Sequence, residues 1–278
     1  MFGFFLAIFG SFLSETSLSI GKTEIKNKKE DIFSFIFLGL FFNFLIFIIL
    51  SLVQPANFIF SFKSLPTFSL RLILEIIQVY IAAVAIAAAD RTTYGLMRTI
   101  TIPLLLLVDV FLGYSLHNNQ IIGILILCFG MIIAFIDKTV SKKGLLFVII
   151  SALNAVITIS LYKYDITHFN SFIAEQLIVS GTLWSLSLLY LTLKEKINPF
   201  LMLTKKYLFF QSLAEGFAGA ISSFSYTFLP ASIILAITRA SAISWATIFG
   251  KVYFKEKHIL HKIAIVAVVI IGFIFLMN

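Results

Sequence analysis

The chain has 278 residues, of which 60% are hydrophobic and only 12% charged, against about 25% charged in an ordinary soluble domain. With a mean hydropathy of +1.05, this composition excludes a water-soluble globule, a disordered chain and any collagen or coiled-coil array. The net charge of +8 would suggest nucleic acid on a soluble domain. Here the lysines fall in short breaks between apolar runs, where they act as topology signals, so no nucleic-acid partner is expected. Cys128 is the single cysteine, which permits no internal disulfide and no cysteine-based metal site.

A bilayer core takes roughly 20 apolar residues per helix. The first run, 2–20, lacks the basic start and small-residue cleavage site of a signal peptide and carries Glu15, so it reads as a retained span. Nine more runs follow: 32–53, 70–89, 92–112, 119–136, 144–162, 171–193, 207–228, 230–250 and 259–277. The longest breaks, Pro55 to Ser69 and Lys194 to Lys206, are too short for a soluble domain. The expected fold is an all-α integral membrane protein of ten transmembrane helices with nothing attached.

The basic residues are lopsided. Odd-numbered breaks hold 16 of the 21 lysines and arginines, Arg91 among them; even-numbered breaks hold Lys63, Arg71 and Lys163; Arg98 and Arg239 lie inside spans. Positive-inside logic then places the odd breaks in the cytoplasm and both termini outside.

Shifting the chain by 141 residues superimposes its halves. Gly3 falls on Gly144, Ile8 on Ile149, Ser19 on Ser160, Arg98 on Arg239, Ile102 on Ile243 and His117 on His258, while span boundaries stay in step. The expected units are a five-helix repeat over 1–136, a linking loop over 137–143 and a second five-helix repeat over 144–278. An odd number of spans per half inverts the halves in the membrane, an architecture that places a site between them at the midplane.

Two stretches carry a resemblance: "RTITIPLLLLVDVFLGYSLHNNQIIGILILCFG" from Arg98 to Gly130, and "LPASIILAITRASAISWATIFGKVYFKEKHILHKIAIVAVVIIG" from Leu229 to Gly272. Each half resembles the EamA type of the drug/metabolite transporter superfamily: an arginine, a Ser-Pro soon after, a Gly-Glu-Arg-like turn, then a glycine-containing last span. Pro103 matches the first half and Ser244 replaces it in the second. The turn survives as Lys255-Glu256-Lys257, against Tyr114-Ser115-Leu116 in the first half. The resemblance implies a ten-span transporter of two inverted repeats. It also implies cytoplasmic termini, opposite to the charge count.

Ionisable groups in hydrocarbon are expensive and face a cavity or a partner. Here they are Glu15, Glu75, Arg98, Asp109, Glu215 and Arg239. In span eight, Gln211, Glu215, Gly219, Ser222 and Tyr226 share one helical face, as do Ser151, Asn154, Thr158 and Tyr162 in span six. Such stripes line a cavity or glue helices together. Glu75 is expected to pair with Arg71 at i−4, and Asp109 either lines the cavity or snorkels. Arg239, near a span centre, needs an anion: Glu215, or a substrate carboxylate or phosphate. Small residues in span three (Ala82, Ala83, Ala85, Ala87, Ala88, Ala89) and span eight (Ala214, Gly216, Ala218, Gly219, Ala220) allow close helix packing.

The chain has no phosphate-binding loop, no G-x-S-x-G and no H-E-x-x-H, and no cofactor or catalytic residues are expected. The histidines, near span ends, form no metal-ligand cluster. The expected function is a secondary transporter, an exporter of a small polar or amphipathic metabolite, in a prokaryotic inner or plasma membrane. Its cavity would be lined by Arg239, Glu215, Ser222, Tyr226, Trp245, Arg98, Glu15, Asn154 and Thr158, with Glu15 or Glu215 carrying the proton of coupled transport. The alternative is a lipid- or isoprenoid-binding or flipping protein, which would need a lateral opening.

Overall fold

The structure, a computed structural model, describes residues 2–27, 30–111, 118–136, 142–228, 231–255 and 259–277. Within them every apolar run is helical, and no strand occurs among the described residues. The helices are α1 (Phe2–Lys26), α2 (Ile32–Val53), α3 (Leu65–Ala88), α4 (Arg91–Met97), α5 (Thr101–Phe111), α6 (Asn118–Ile136), α7 (Leu145–His168), α8 (Phe172–Leu189), α9 (Lys206–Ser225), α10 (Ala231–Val252) and α11 (Ile259–Met277). Six helical stretches among the described residues are long and apolar enough to cross a membrane: Phe2–Lys26, Ile32–Val53, Phe62–Ala88, Leu145–His168, Phe172–Lys194 and Ile233–Val252. The outer surface of the bundle is apolar, over an interior that holds both a hydrophobic core and buried charges. Leu52, Phe62 and Leu193 stand fully outward, whereas Glu15, Arg71, Arg91, Glu175 and Arg239 are buried. An outer surface this apolar calls for lipid, and helices suit lipid because they satisfy their own backbone.

Helix ends follow from local chemistry. Asp31 caps α2, its carboxylate accepting from the Ser34 N–H at 2.6 Å, and Ser171 caps α8 through the Ala174 N–H at 3.2 Å. Pro66 opens α3, where its missing N–H costs nothing. Gly144 precedes α7 with φ +72°, and a β-carbon there would sit 2.8 Å from the Ala89 nitrogen, so both conformation and space demand glycine. The fourth apolar run is divided: a 3-10 turn at Arg98–Ile100 separates α4 from α5. Pro103 has no N–H for the Thr99 carbonyl and its ring crowds that turn. The hydroxyls of Thr99 and Thr101 bond instead to the carbonyls of Leu96 and Arg98 at 2.6 and 2.7 Å.

Paired residues give the helix directions. Along α1 and α9, Gly10 meets Ser222, Ser14 meets Glu215 and Gly21 meets Gln211, so the two run antiparallel. Along α2 and α9, Glu30 meets Gln211, Leu38 meets Ser212 and Phe42 meets Gly216, so these run parallel. Thr67 with Asp165 and Gln78 with Ser151 make α3 and α7 antiparallel. Phe33 with Tyr190 and Phe47 with Phe172 do the same for α2 and α8. Ser11 with Thr238 and Phe12 with Trp245 align α1 with α10. Thus α1, α3, α8 and α10 point one way and α2, α7 and α9 the other. One end of the bundle gathers Lys22 on the Ala89 carbonyl, Gly144 on Ala88 and Glu30 on Gln211. The other gathers Ser61 on Asn170 and Ile59 on Ser171. Further packing joins α6 to α11, and α7 to α4 and α5.

The α2–α9 seam is unusually close. A β-carbon on Gly216 would lie 2.5 Å from the Phe42 β-carbon and 2.8 Å from the Asn43 nitrogen. The Ser212 hydroxyl donates across the seam to the Leu38 carbonyl.

The turn residues Tyr114, Ser115, Leu116, Glu256 and Lys257, together with His117, His258 and the loop from 137 to 141, lie outside the described residues. Several basic residues assigned to breaks from the sequence belong to helices, Arg71, Lys163 and Arg91 among them. Arg71 is buried in α3, Lys163 lies in α7, and Arg91 is the fully buried first residue of α4. The helices run further than their apolar cores because polar side chains near the ends find partners inside the bundle.

Candidate functional site

The short helix α4 and the first residue of the 3-10 turn after it present Arg91, Tyr94 and Arg98 at i, i+3 and i+7, close to one face. Arg91 is ion-paired with Glu15 of α1, and both are buried. Tyr94 is 2% exposed and stands between two guanidiniums, with Arg91 5.6 Å and Arg98 5.1 Å from its ring centroid. Such contacts stabilise a cation where water is excluded. An Arg98 Nη donates to the Tyr94 hydroxyl at 2.7 Å.

Facing this from α10 is Arg239, 8% exposed. It lies within electrostatic reach of Arg98, Tyr94, Tyr226 and Glu15. Its Nε is sealed from solvent without a hydrogen-bond partner, as is that of Arg98. Among the described residues, neither Arg98 nor Arg239 forms an ion pair. The sequence offered Glu215 as the partner of Arg239. Glu215 instead accepts from the Ser14 hydroxyl of α1 at 3.3 Å and packs its chain against Gly39 of α2, and Glu15 is taken by Arg91.

Other expected site residues divide into two groups. Tyr226, at the C-terminus of α9, is within electrostatic reach of Arg239 and Arg98, and Ser222 one turn before it faces Gly10 of α1. Trp245 packs edge-on against Phe12, centroids 4.9 Å apart, one residue from Ser11, whose hydroxyl donates to Thr238 beside Arg239. Asn154 and Thr158 are engaged elsewhere. The Asn154 amide donates to the Leu74 carbonyl and to Gln78 at 2.9 and 3.0 Å, and Thr158 contacts the Ala155 carbonyl at 3.4 Å and Glu75. They hold α7 to α3. Asp109 lies in α5.

A second buried polar cluster lies towards the other end. Arg71 is ion-paired with Glu175 of α8 and reaches Glu75 only at 3.9 Å. Its guanidinium stands 4.5 Å from the Tyr162 ring centroid. Asn170 donates to Glu175 at 2.6 Å and to Ser64 at 2.8 Å. The expected Arg71–Glu75 pair is therefore the weaker of two, because α8 brings a carboxylate to the other edge of the guanidinium. Tyr162 in turn meets Tyr226 edge-on at 5.9 Å, so the aromatic pair spans the distance between the two clusters. Beyond Tyr226, a groove of about 480 Å³ is bounded by Asn57, Ile59, Lys163, Ser171 and Thr227. In it Lys163 donates to the Tyr226 carbonyl at 3.0 Å.

At the opposite end Glu30, between α1 and α2, is 6% exposed. It accepts from the Gln211 amide at 3.1 Å. Burial pushes its carboxyl up to about 8; the Gln211 bond opposes this, and Asp31 and Glu24 add to it.

Arg91, Tyr94 and Glu175 escape a reading by composition. Arg91 and Glu175 lie near span ends, where charge is ordinary. The signal for the first two is the Arg-x-x-Tyr-x-x-x-Arg spacing itself. Among the described residues no group of three His, Cys, Asp or Glu side chains is placed to hold a metal ion. No family model matches the chain, and no curated protein matches it.

Proposed function

We propose that the protein is a secondary transporter, exporting a small polar or amphipathic metabolite by alternating access between two inverted five-helix halves of a ten-span membrane domain, 1–136 and 144–278. The observation that carries this reading is a buried charged site built from both sequence halves: α1 and α4 from the first, α9 and α10 from the second. Charges in hydrocarbon are costly and belong to a pathway or site more often than to packing. The packing pattern supports the repeat. Helix α1 lies against α9 and α10, and its equivalent α7 lies against their equivalents, α3 and the α4–α5 pair. Helix directions support the inversion, since α1 and α7 point opposite ways, as do α2 and α8, and α3 and α9. The divided fourth run has the form of the broken helices that line midplane transport sites.

In this mechanism Arg239 holds an anionic group of the substrate, Tyr226 and Trp245 supply aromatic walls, and Glu215, which accepts from the Ser14 hydroxyl and forms no ion pair among the described residues, carries the proton of coupled transport. The test is a thermal-shift screen of purified protein against metabolite classes, since a ligand that binds only the folded state raises the melting temperature. Hits are then followed by flux into proteoliposomes. Flux that saturates and falls with Arg239→Ala supports the mechanism. A ligand that binds but does not cross, or flux indifferent to Arg239→Ala, overturns it.

A further inference from the structure

We infer that the substrate of this site is a doubly negative oxyanion, a phosphate monoester or a dicarboxylate, held between Arg98 and Arg239. The inference deepens the transporter reading and rests on it. The two arginines occupy equivalent positions 141 residues apart; α4 packs on α10, where a β-carbon on Gly95 would lie 3.5 Å from the Ile243 α-carbon and the Ala246 β-carbon, and Arg98 and Arg239 lie within electrostatic reach of each other across that contact. Local charge can be followed residue by residue. Arg91 and Glu15 cancel as an ion pair. Arg98 has a neutral partner, the Tyr94 hydroxyl. Arg239 has no hydrogen-bond or ion-pair partner among the described residues, and of its three nitrogens only Nε is sealed away. Glu215, the remaining carboxylate within reach of Arg98, accepts from the Ser14 hydroxyl and is the proton carrier of the mechanism above, so when it holds its proton both guanidiniums are left unmatched.

Two like charges placed together at low dielectric repel strongly, and a buried, unmatched guanidinium costs far more than a surface one. An arrangement with that cost is stable work for a ligand, not for packing. Each guanidinium is a planar fork that matches a carboxylate or phosphate edge with two parallel hydrogen bonds. Two such forks within reach of each other fit two negative charges, and a single carboxylate satisfies one fork and leaves the other. The Tyr94 and Tyr226 hydroxyls complete a donor set around the anion, and nothing in it favours a cationic or neutral group.

The experiment uses the full chain in detergent at constant ionic strength. Inorganic phosphate, methyl phosphate, succinate and dihexanoyl phosphatidic acid are compared with chloride and acetate by thermal shift, and the active probes are then tested for exchange in proteoliposomes. The expected result is a dose-dependent rise in melting temperature with at least one dianion and none with chloride or acetate. Arg98→Gln and Arg239→Gln should each weaken that response by about 10- to 100-fold, the cost of losing a charged hydrogen-bond partner. Arg239→Gln should also melt higher than the parent without ligand, because it removes the repulsion, so loss of response cannot be put down to misfolding. Phosphate against succinate separates the two oxyanion chemistries, and phosphatidic acid separates a lipid headgroup from a soluble ester. Equal responses to acetate, a full response retained in both variants, or no response to any dianion overturns the inference. A dianion that binds but is not exchanged overturns the transporter reading and leaves the site. Exchange of a neutral metabolite without any dianion response leaves the transporter reading and overturns this one.

Discussion

Replacing Gly216 by alanine tests the α2–α9 seam most directly. The added β-carbon would meet the Phe42 β-carbon at 2.5 Å and backbone atoms of Phe42 and Asn43 at 2.7 and 2.8 Å, where carbon atoms in contact prefer roughly 3.5–4.0 Å. These are mostly backbone atoms, so relief requires the helices to separate by about an ångström along this stretch. Overpacking of this kind costs about 1–3 kcal/mol, against a gain of up to about 1 kcal/mol in helix propensity. The net expectation is a loss of about 1–2 kcal/mol. Gly39, across the seam, is the control: its added carbon meets only the Glu215 γ-carbon, at 3.6 Å. Gly39→Ala should keep the propensity gain and be neutral or stabilising. At about 2–4 °C per kcal/mol for chains of comparable size, the two variants should melt roughly 5–10 °C apart when followed by circular dichroism in detergent. Equal melting temperatures, or a more stable Gly216→Ala, would refute the close approach of these helices.

Three further outcomes are expected. Glu175→Ala leaves Arg71 with Glu75 alone, at 3.9 Å, and should cost about 3–5 kcal/mol, the usual result of orphaning a buried charge; adding Arg71→Met should recover much of it, and thermal melts of the double-mutant cycle measure the difference. Glu30 binds its proton more tightly in the folded chain, its carboxyl standing at about 8 against an ordinary 4.5, so stability should fall as pH rises from about 4.5 to about 8. Glu30→Gln should flatten that slope and leave stability unchanged at pH 4, and melts across the range decide it. Reporter fusions at Lys143 and Lys205 should report one side of the membrane and fusions at Asn57 and Phe228 the other; a split within either pair would break the assignment of bundle ends.

The helices were legible because each apolar run must satisfy its backbone internally, and their order of packing was not, since period and hydropathy say which face is apolar but not whose face it meets. Asn154 and Thr158 illustrate this: their spacing puts them on one face of α7, as expected, but that face turns to α3, where Leu74 and Gln78 take up the Asn154 amide. Arg98 and Arg239, 141 residues apart, lie within electrostatic reach of each other, and their common offset in the two halves already singled them out. Arg91 was counted as a loop charge because it adjoins Asp90 at a span boundary. Only the tight link between α3 and α4, with Lys22 on the Ala89 carbonyl, turns it inward to Glu15. Glu175 was masked by its position in the first turn of α8, where an acidic residue is ordinary helix-terminal chemistry.

The parallel course of α2 and α9 has an electrostatic consequence. Each helix carries a macrodipole with its positive end at the N-terminus, and two dipoles lying side by side in register repel, whereas the antiparallel neighbours α1 and α9, or α3 and α7, attract. In a medium that screens poorly, this seam is held against its own field by short-range contacts: the notch at Gly216 and the Ser212 hydroxyl on the Leu38 carbonyl. Like the parallel α1–α10 contact, it gains nothing from its dipoles, and its cohesion rests on the few atoms that close the notch.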